Sequence, residues 1–264
     1  MLMGVRNAGD DVSSLESQSS DAYREPSGER LLDNPIWNAL GTEHRALAIA
    51  HGQARRYPPA IGPLSGTPNQ SIASYEALRT LAGAGGVIGL FFHQPPAPPQ
   101  GWTLLRGGSL LQMVWQESKD QAIHRQLPGT NLRQLTNDDV PAMMKLAELT
   151  EPGPFRERTI ELGNFYGVFE SDRLLAMAGQ RMNLPGFVEV SAVCTHPDAR
   201  GRGYARTLMS TVMQDILQRG SKPFLHVFAD NLSAIRVYEG LGFTQRRTFH
   251  LAVLKNDVQV QPAS

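Results

Sequence analysis

An apolar, β-branched run from Phe187 to Thr195 gives way, through His196-Pro197-Asp198-Ala199-Arg200-Gly201-Arg202-Gly203, to an amphipathic segment that reaches Gln218. This strand–turn–helix passage constrains the chain more than any other stretch. A helix begins with backbone N–H groups that have no partner inside the helix, and the positive end of its dipole stands behind them. Two glycines and two arginines in the turn leave those groups open. Glycine lets an anion approach the backbone, and Arg200 and Arg202 add charge and forked donors. The predicted ligand is a phosphate or pyrophosphate, held by Arg200, Gly201, Arg202, Gly203, Tyr204, Ala205 and Arg206.

The rest of the chain divides by pattern. Residues 1–30 are rich in Ser, Asp, Glu and Gly, and are expected to form a disordered tail. Asp33 to Leu40 begins the folded part, with Asp33 or Asn34 as a cap ahead of Pro35. Strands are predicted over Ala46–Ala50 and Gln53–Tyr57, and a helix over Ser71–Ala82. Val87–Phe92 reads as a buried strand, and Trp102–Leu105 and Leu110–Trp115 as two more, separated by a Gly-Gly turn. Gly83 to Gly89 does not make a dinucleotide loop, because Ile88 stands at the third glycine and the run precedes a strand. Pro128, Gly129 and a charged stretch between Gln116 and Thr130 suggest a boundary. Beyond it the predicted order is strand (132–135), helix from a Thr136 cap to about Thr150, and helix (Phe155–Leu162). Strands follow at 164–170, 174–182 and 187–195. The helix to Gln218, a strand (224–229), a helix (232–241) and a strand (243–254) complete the order.

The second informative segment is Asp230-Asn231-Leu232-Ser233-Ala234-Ile235-Arg236-Val237-Tyr238-Glu239-Gly240-Leu241-Gly242-Phe243. With the upstream turn, it resembles the GNAT superfamily of acyl-CoA-dependent N-acyltransferases. Arg200, Gly203 and Ala205 match that family's phosphate loop. Asn231, Ala234, Tyr238, Gly242 and Phe243 match its Asn-x-x-Ala-x-x-x-Tyr-x-x-x-Gly-Phe helix. The resemblance covers about residues 130–254. It implies an α/β (α+β) fold in the C-terminal half, residues 130–255: a mixed, mostly antiparallel central sheet flanked by helices. Residues 31–125 are expected to be a second α+β domain, a degenerate copy of the same fold or a cap. This layout is similar to that of the mammalian glycine N-acyltransferases in architecture only.

The resemblance also implies site roles. Acetyl-CoA would be the donor, its pantetheine arm lying along Val193, Cys194 and Thr195 and touching Asn231. Tyr238 matches the family's general acid. Glu189, on the strand leading to the turn, stands where several members carry a catalytic base; a solvated strand Glu or a water-mediated base is an equal alternative. Alternation along the strand places Glu189, Ser191 and Val193 on one face. His196 and His226 are secondary candidates, and Cys194 is expected in the core with no covalent role. No spacing suggests a metal site.

Two further limits come from composition. Twenty-five basic residues balance 25 acidic ones, for a net charge of +0. That balance offers no electrostatic footprint for nucleic acid or an anionic membrane. With one cysteine, no leader pattern and no apolar span, the expected setting is cytoplasmic. The expected reaction is acetyl transfer to a primary amine of a small molecule or amino acid. The alternatives are a coenzyme A-binding module without turnover and a protein N-terminal or lysine acetyltransferase. The assembly is left open, a homodimer included.

Overall fold

The computed structural model describes residues 28–117 and 129–257. Most of the expected 1–30 tail and most of the expected boundary at 116–130 therefore lie outside the described residues. A 3-10 turn (Gly28–Asp33) leads into α1 (Pro35–Ala39). A small antiparallel sheet follows: β1 (Ile49–His51), β2 (Ala54–Arg56) and β3 (Ser65–Gly66). Then come α2 (Ile72–Ala82), capped by the Ser71 side chain, β4 (Val87–Phe92) and β5 (Trp102–Trp115). Past the undescribed segment run β6 (Asn131–Gln134), α3 (Val140–Thr150), β7 (Phe165–Glu170), β8 (Arg173–Leu184) and β9 (Phe187–Thr195). The chain continues through α4 (Tyr204–Gln218), β10 (Lys222–Phe228), α5 (Leu232–Glu239) and β11 (Phe243–Asn256).

Eight of the strands form one sheet in the order β4-β11-β5-β10-β9-β8-β7-β6. Its strand pairs are antiparallel except β9 with β10. That parallel pair needs a crossover, and α4 supplies it. The mixed, mostly antiparallel sheet flanked by helices is the fold class expected.

The N-terminal half departs from expectation. β5 runs between β10 and β11, antiparallel to both, so the strands expected at 87–92, 102–105 and 110–115 are part of the main sheet, while those expected at 46–50 and 53–57 fall in the small one. The two short strands expected around Gly107-Gly108 are one 14-residue strand. The glycines there serve close approach instead of a turn. A Cβ on Gly108 would lie 3.0 Å from the Phe228 ring.

Each face of the sheet has its own cover. Leu208, Met209, Val212, Met213 and Ile216 of α4 pack on Ala176, Ala178, Val188, Val190, Leu225 and Val227, and α5 adds partly buried Ile235 and Tyr238. On the other face, Leu31, Leu32, Ile36, Leu40, Tyr57 and Ile61 lie against Val114, Met182, Leu184, Phe187 and Phe224. Residues 28–64 are therefore a lid on the sheet that their own half helps to build. Beside them, α3 packs on Phe165, Leu174 and Met177. The helix expected over Phe155–Leu162 is a 3-10 turn at Thr159–Leu162. Its backbone is drawn to the lid, since Arg158 N–H donates to Ala60 O at 3.0 Å and the Thr159 hydroxyl to Ile61 O at 2.8 Å.

Candidate active site

The parallel pair β9–β10 is short. Phe187, Val188 and Glu189 face Lys222, Pro223 and Phe224, and there the pairing stops. β9 continues to Thr195 and β10 to Phe228, so the sheet opens into a fork with peptide edges on both sides. The fork lies ahead of the glycine turn. Gly201 (φ +77°) and Gly203 (φ +82°) both hold the left-handed conformation, and no atom lies within 4 Å of where a Cβ on Gly201 would stand. A side chain at either glycine would be strained, so these positions favour glycine on backbone grounds alone. The first bond of α4 runs from Thr207 N–H to Gly203 O, so the N–H groups ahead of it precede the helical ladder. Arg200 and Arg202 are exposed beside them, Arg202 lightly held by Asp198 O at 3.2 Å. Arg206 donates to Gly240 O at 2.9 Å, tying the start of α4 to the end of α5. Open backbone N–H groups at a helix start with exposed arginines beside them are chemically suited to an anion.

Two bulges flank the fork. In β9, Ala192 (φ +52°) and Val193 together oppose Ala178, since Ser191 faces Gly179 and Cys194 faces Met177. In β8, Arg181 and Met182 together oppose Glu189, since Gln180 faces Val190 and Asn183 faces Val188. Bulges re-aim side chains and are common beside active sites. The first moves Val193 off the expected face. It packs with α4, while Ala192 and Cys194 pack with α3, so Glu189 and Ser191 do not share their face with Val193. The second turns Arg181 onto Glu189.

Glu189 is fully buried and bonded on both oxygens. Arg181 grips it through Nε to Oε2 at 2.7 Å and Nη2 to Oε1 at 2.6 Å, and His226 Nδ1 meets Oε1 at 2.7 Å. Despite burial, which opposes ionisation, the adjacent Arg181 guanidinium holds the carboxylate down at about 2. With both oxygens covered by Arg181 and His226, this carboxylate is poorly placed to take a proton from an amine.

The hydrogen bonds fix the His226 tautomer. Gln112 receives Arg246 Nη1 on Oε1 at 2.9 Å and donates from Nε2 to Leu32 O at 2.9 Å and to His226 Nε2 at 3.1 Å. His226 Nε2 is therefore the acceptor and Nδ1–H donates to Glu189. Burial pushes His226 down, keeping it neutral. Arg246 is held in turn by Asp33 at 2.7 Å. Close by, Tyr57 O–H meets His44 Nδ1 at 2.8 Å, and burial lowers His44 to about 4.

Tyr238 packs on the α4 cluster against Phe243, ring centroids 6.3 Å apart, and burial raises it to about 12. It is therefore a neutral phenol that can give a proton. Asn231 caps α5, accepting Ala234 N–H at 3.2 Å. Cys194 is buried and pushed up to about 11 by that burial, which suits a packed thiol. His196 is taken up by the turn, accepting Asp198 N–H at 3.2 Å. Among the described residues, no group of His, Cys, Asp and Glu is arranged to hold a metal ion, and no helix is long and apolar enough to cross a membrane.

Beside the β9 bulge lies a narrow cleft, open at its mouth, whose enclosed part of about 10 Å³ has room for about one water. Pro154, Phe155, Phe165, Arg181, Ser191 and Ala192 contribute to its lining. Sequence reasoning missed Arg181. An ideal hairpin through Pro185-Gly186 pairs Met182, not Arg181, with Glu189. The cross-strand pairing appears only with the bulge.

Comparison with known proteins places this arrangement. Residues 165–251 match the family model described as FR47-like protein. A solved structure from Novosphingobium aromaticivorans, assigned to the GNAT family as an acetyltransferase, is 41% identical with a TM-score of 0.75. The match covers 86% of this chain and 99% of that one. The mycothiol acetyltransferase of Mycobacterium ulcerans (strain Agy99) is 37% identical over 82 residues, 27% of this chain and 26% of its own length. That of Saccharopolyspora erythraea is 28% identical over 135 residues, 45% of each chain. The chain thus spans from about a quarter to under half of the length of these curated relatives.

Proposed function

Because the chain belongs to the GNAT family of acetyltransferases, we propose that it transfers an acetyl group from acetyl-CoA to a primary amine of a small molecule or amino acid, directly in a ternary complex. The observation that carries this reading is the fork between β9 and β10 with the glycine turn at its end. The N–H groups of Gly201 to Arg206, with Arg200 and Arg202, hold the phosphates. The pantetheine arm pairs with the open edge at Val193, Cys194 and Thr195, beside Asn231. A backbone N–H at the bulge polarises the thioester carbonyl. The amine nitrogen bonds to the carbonyl carbon, the carbon–sulfur bond breaks, and the thiolate takes its proton from Tyr238. With Glu189 covered, water carries away the proton of the amine.

Tyr238→Phe tests the assignment. Turnover, followed as thiol release, is expected to fall about 10²–10⁴-fold with the KM for acetyl-CoA unchanged. Unchanged turnover sinks the role of Tyr238. A second reading, a coenzyme A-binding module without turnover, draws on the sealed Glu189. It predicts tight coenzyme A binding and no amine-dependent thiol release. A protein N-terminus or lysine as acceptor would show as saturable kinetics with peptides.

A further inference from the structure

Resting on the transferase reading, we infer that Arg181 reads the acceptor: it selects amines that carry a carboxylate or amide carbonyl oxygen within a few bonds of the reacting nitrogen. Nε and Nη2 of Arg181 are committed to Glu189, which is fully buried. Its Nη1 has no acceptor among the described residues. Nη1 is not sealed either, since the buried side-chain nitrogens and oxygens left without a partner are the indole nitrogens of Trp102 and Trp115. The arginine side chain is 17% exposed, and the space it borders is the cleft beside the β9 bulge. Arg181 thus borders the mouth of that cleft, beside the bulge where the transferase reading puts the thioester and hence the acceptor amine.

The chemistry of that volume narrows the ligand. Among the described residues, Arg181 is the one charged side chain lining the cleft, and its counter-ion Glu189 is bonded on both oxygens. A second ammonium group on the acceptor would meet the like charge of Arg181 and, among the described lining residues, no carboxylate to pair with. A dianion would find no surplus charge, because Arg181 and Glu189 cancel and His226 is neutral. What fits is one oxygen, neutral or singly charged, accepting from a fixed guanidinium. Strand geometry sets the span. Glu189, opposite Arg181, is three residues from Ala192, about 10 Å at 3.3 Å per residue, and the arginine side chain covers much of that distance. The oxygen thus belongs to the same small unit as the amine. Glu189 acts here as a positioning residue, since its two bonds fix which edge of the guanidinium is presented.

The test is calorimetric titration of L-alanine, β-alanine, L-alaninamide and 2-aminopropane into the full chain loaded with coenzyme A. Wild type is expected to bind the two amino acids and the amide at least about 10-fold more tightly than 2-aminopropane, the scale of one hydrogen bond to a charged group. In Arg181→Met combined with Glu189→Met, which leaves no lone buried charge, that gap is expected to vanish while coenzyme A affinity stays. Arg181→Lys, which keeps the charge and loses the fork, is expected to shrink it. Equal binding of all four amines by wild type, or a gap that survives in both variants, overturns the proposal. Thiol release from acetyl-CoA is read separately. Selective binding without release would end the transferase reading and leave the role of Arg181 standing.

Discussion

The glycine turn and the polar cluster under the cleft are built in opposite ways. Residues 196 to 206 form the turn from contiguous sequence, with arginines and glycines open to solvent. The cluster of Asp33, Arg246, Gln112, His226, Glu189 and Arg181 draws on residues up to 213 positions apart, and its inner members are buried. The contrast teaches where stability and binding reside. An open turn contributes little to the fold, so a change there costs at most its local backbone strain and whatever it binds. A buried, fully bonded network fixes geometry and is costly to interrupt.

Four measurements would break or sharpen that contrast. Glu189→Ala leaves the Arg181 guanidinium without its counter-ion, and urea denaturation is expected to show a loss of about 3–5 kcal/mol. A loss under 1 kcal/mol would mean that the cluster is no more structural than the turn. The next effect is pH-dependent. His44 has a pKa of about 4 in the folded chain against 6.5 as its ordinary value, so the unfolded chain takes up the proton first. Its contribution, about 3 kcal/mol, is complete above pH 6.5 and gone below about pH 4. His226, lowered in the same direction, adds to the slope. Glu189 titrates lower still, between 4.5 and about 2. His44→Gln should flatten the stability profile between pH 6.5 and 4; an unchanged profile would place the titration elsewhere.

The turn should behave in reverse. Gly203→Glu sets a carboxylate among the phosphates and is expected to weaken acetyl-CoA binding about 100-fold, about 2.7 kcal/mol, by calorimetry. Its unfolding midpoint should fall by no more than the left-handed backbone at that position costs, about 1–2 kcal/mol. Unaltered binding would remove the turn from the donor site. The smallest effect belongs to Asn231→Ala, which removes a helix cap worth about 1 kcal/mol. If Asn231 also touches the donor arm, acetyl-CoA affinity will fall with stability; if it is a cap alone, stability will fall by itself.

Much of the fold was legible because its signals are local. The Ser71 cap with Ile72, Tyr75 and Leu78 at helical spacing identifies α2, and Thr136 with Asp139 marks the start of the α3 region as a capping box. Illegible were the places where a distant partner decides. Gly107-Gly108 reads as a turn until the Phe228 ring and the β11 partners Leu251 and Ala252 draw it straight. Phe155 to Leu162 has helical spacing, yet Ala60 and Ile61 capture its hydrogen bonds.

The sequence alone determined most of the sheet-and-helix order from residue 131 onward, the glycine turn with its exposed arginines and the Asn231-capped α5, and hence the family. Each depends on residues within one or two turns of chain, where periodicity, caps and backbone freedom act directly. Tertiary structure decided that β5 is threaded between β10 and β11, that residues 28–64 roof the sheet, and that Arg181 is turned onto Glu189. Those outcomes depend on strand register and bulges, which slide a side chain from one partner to the next with no mark in the local pattern.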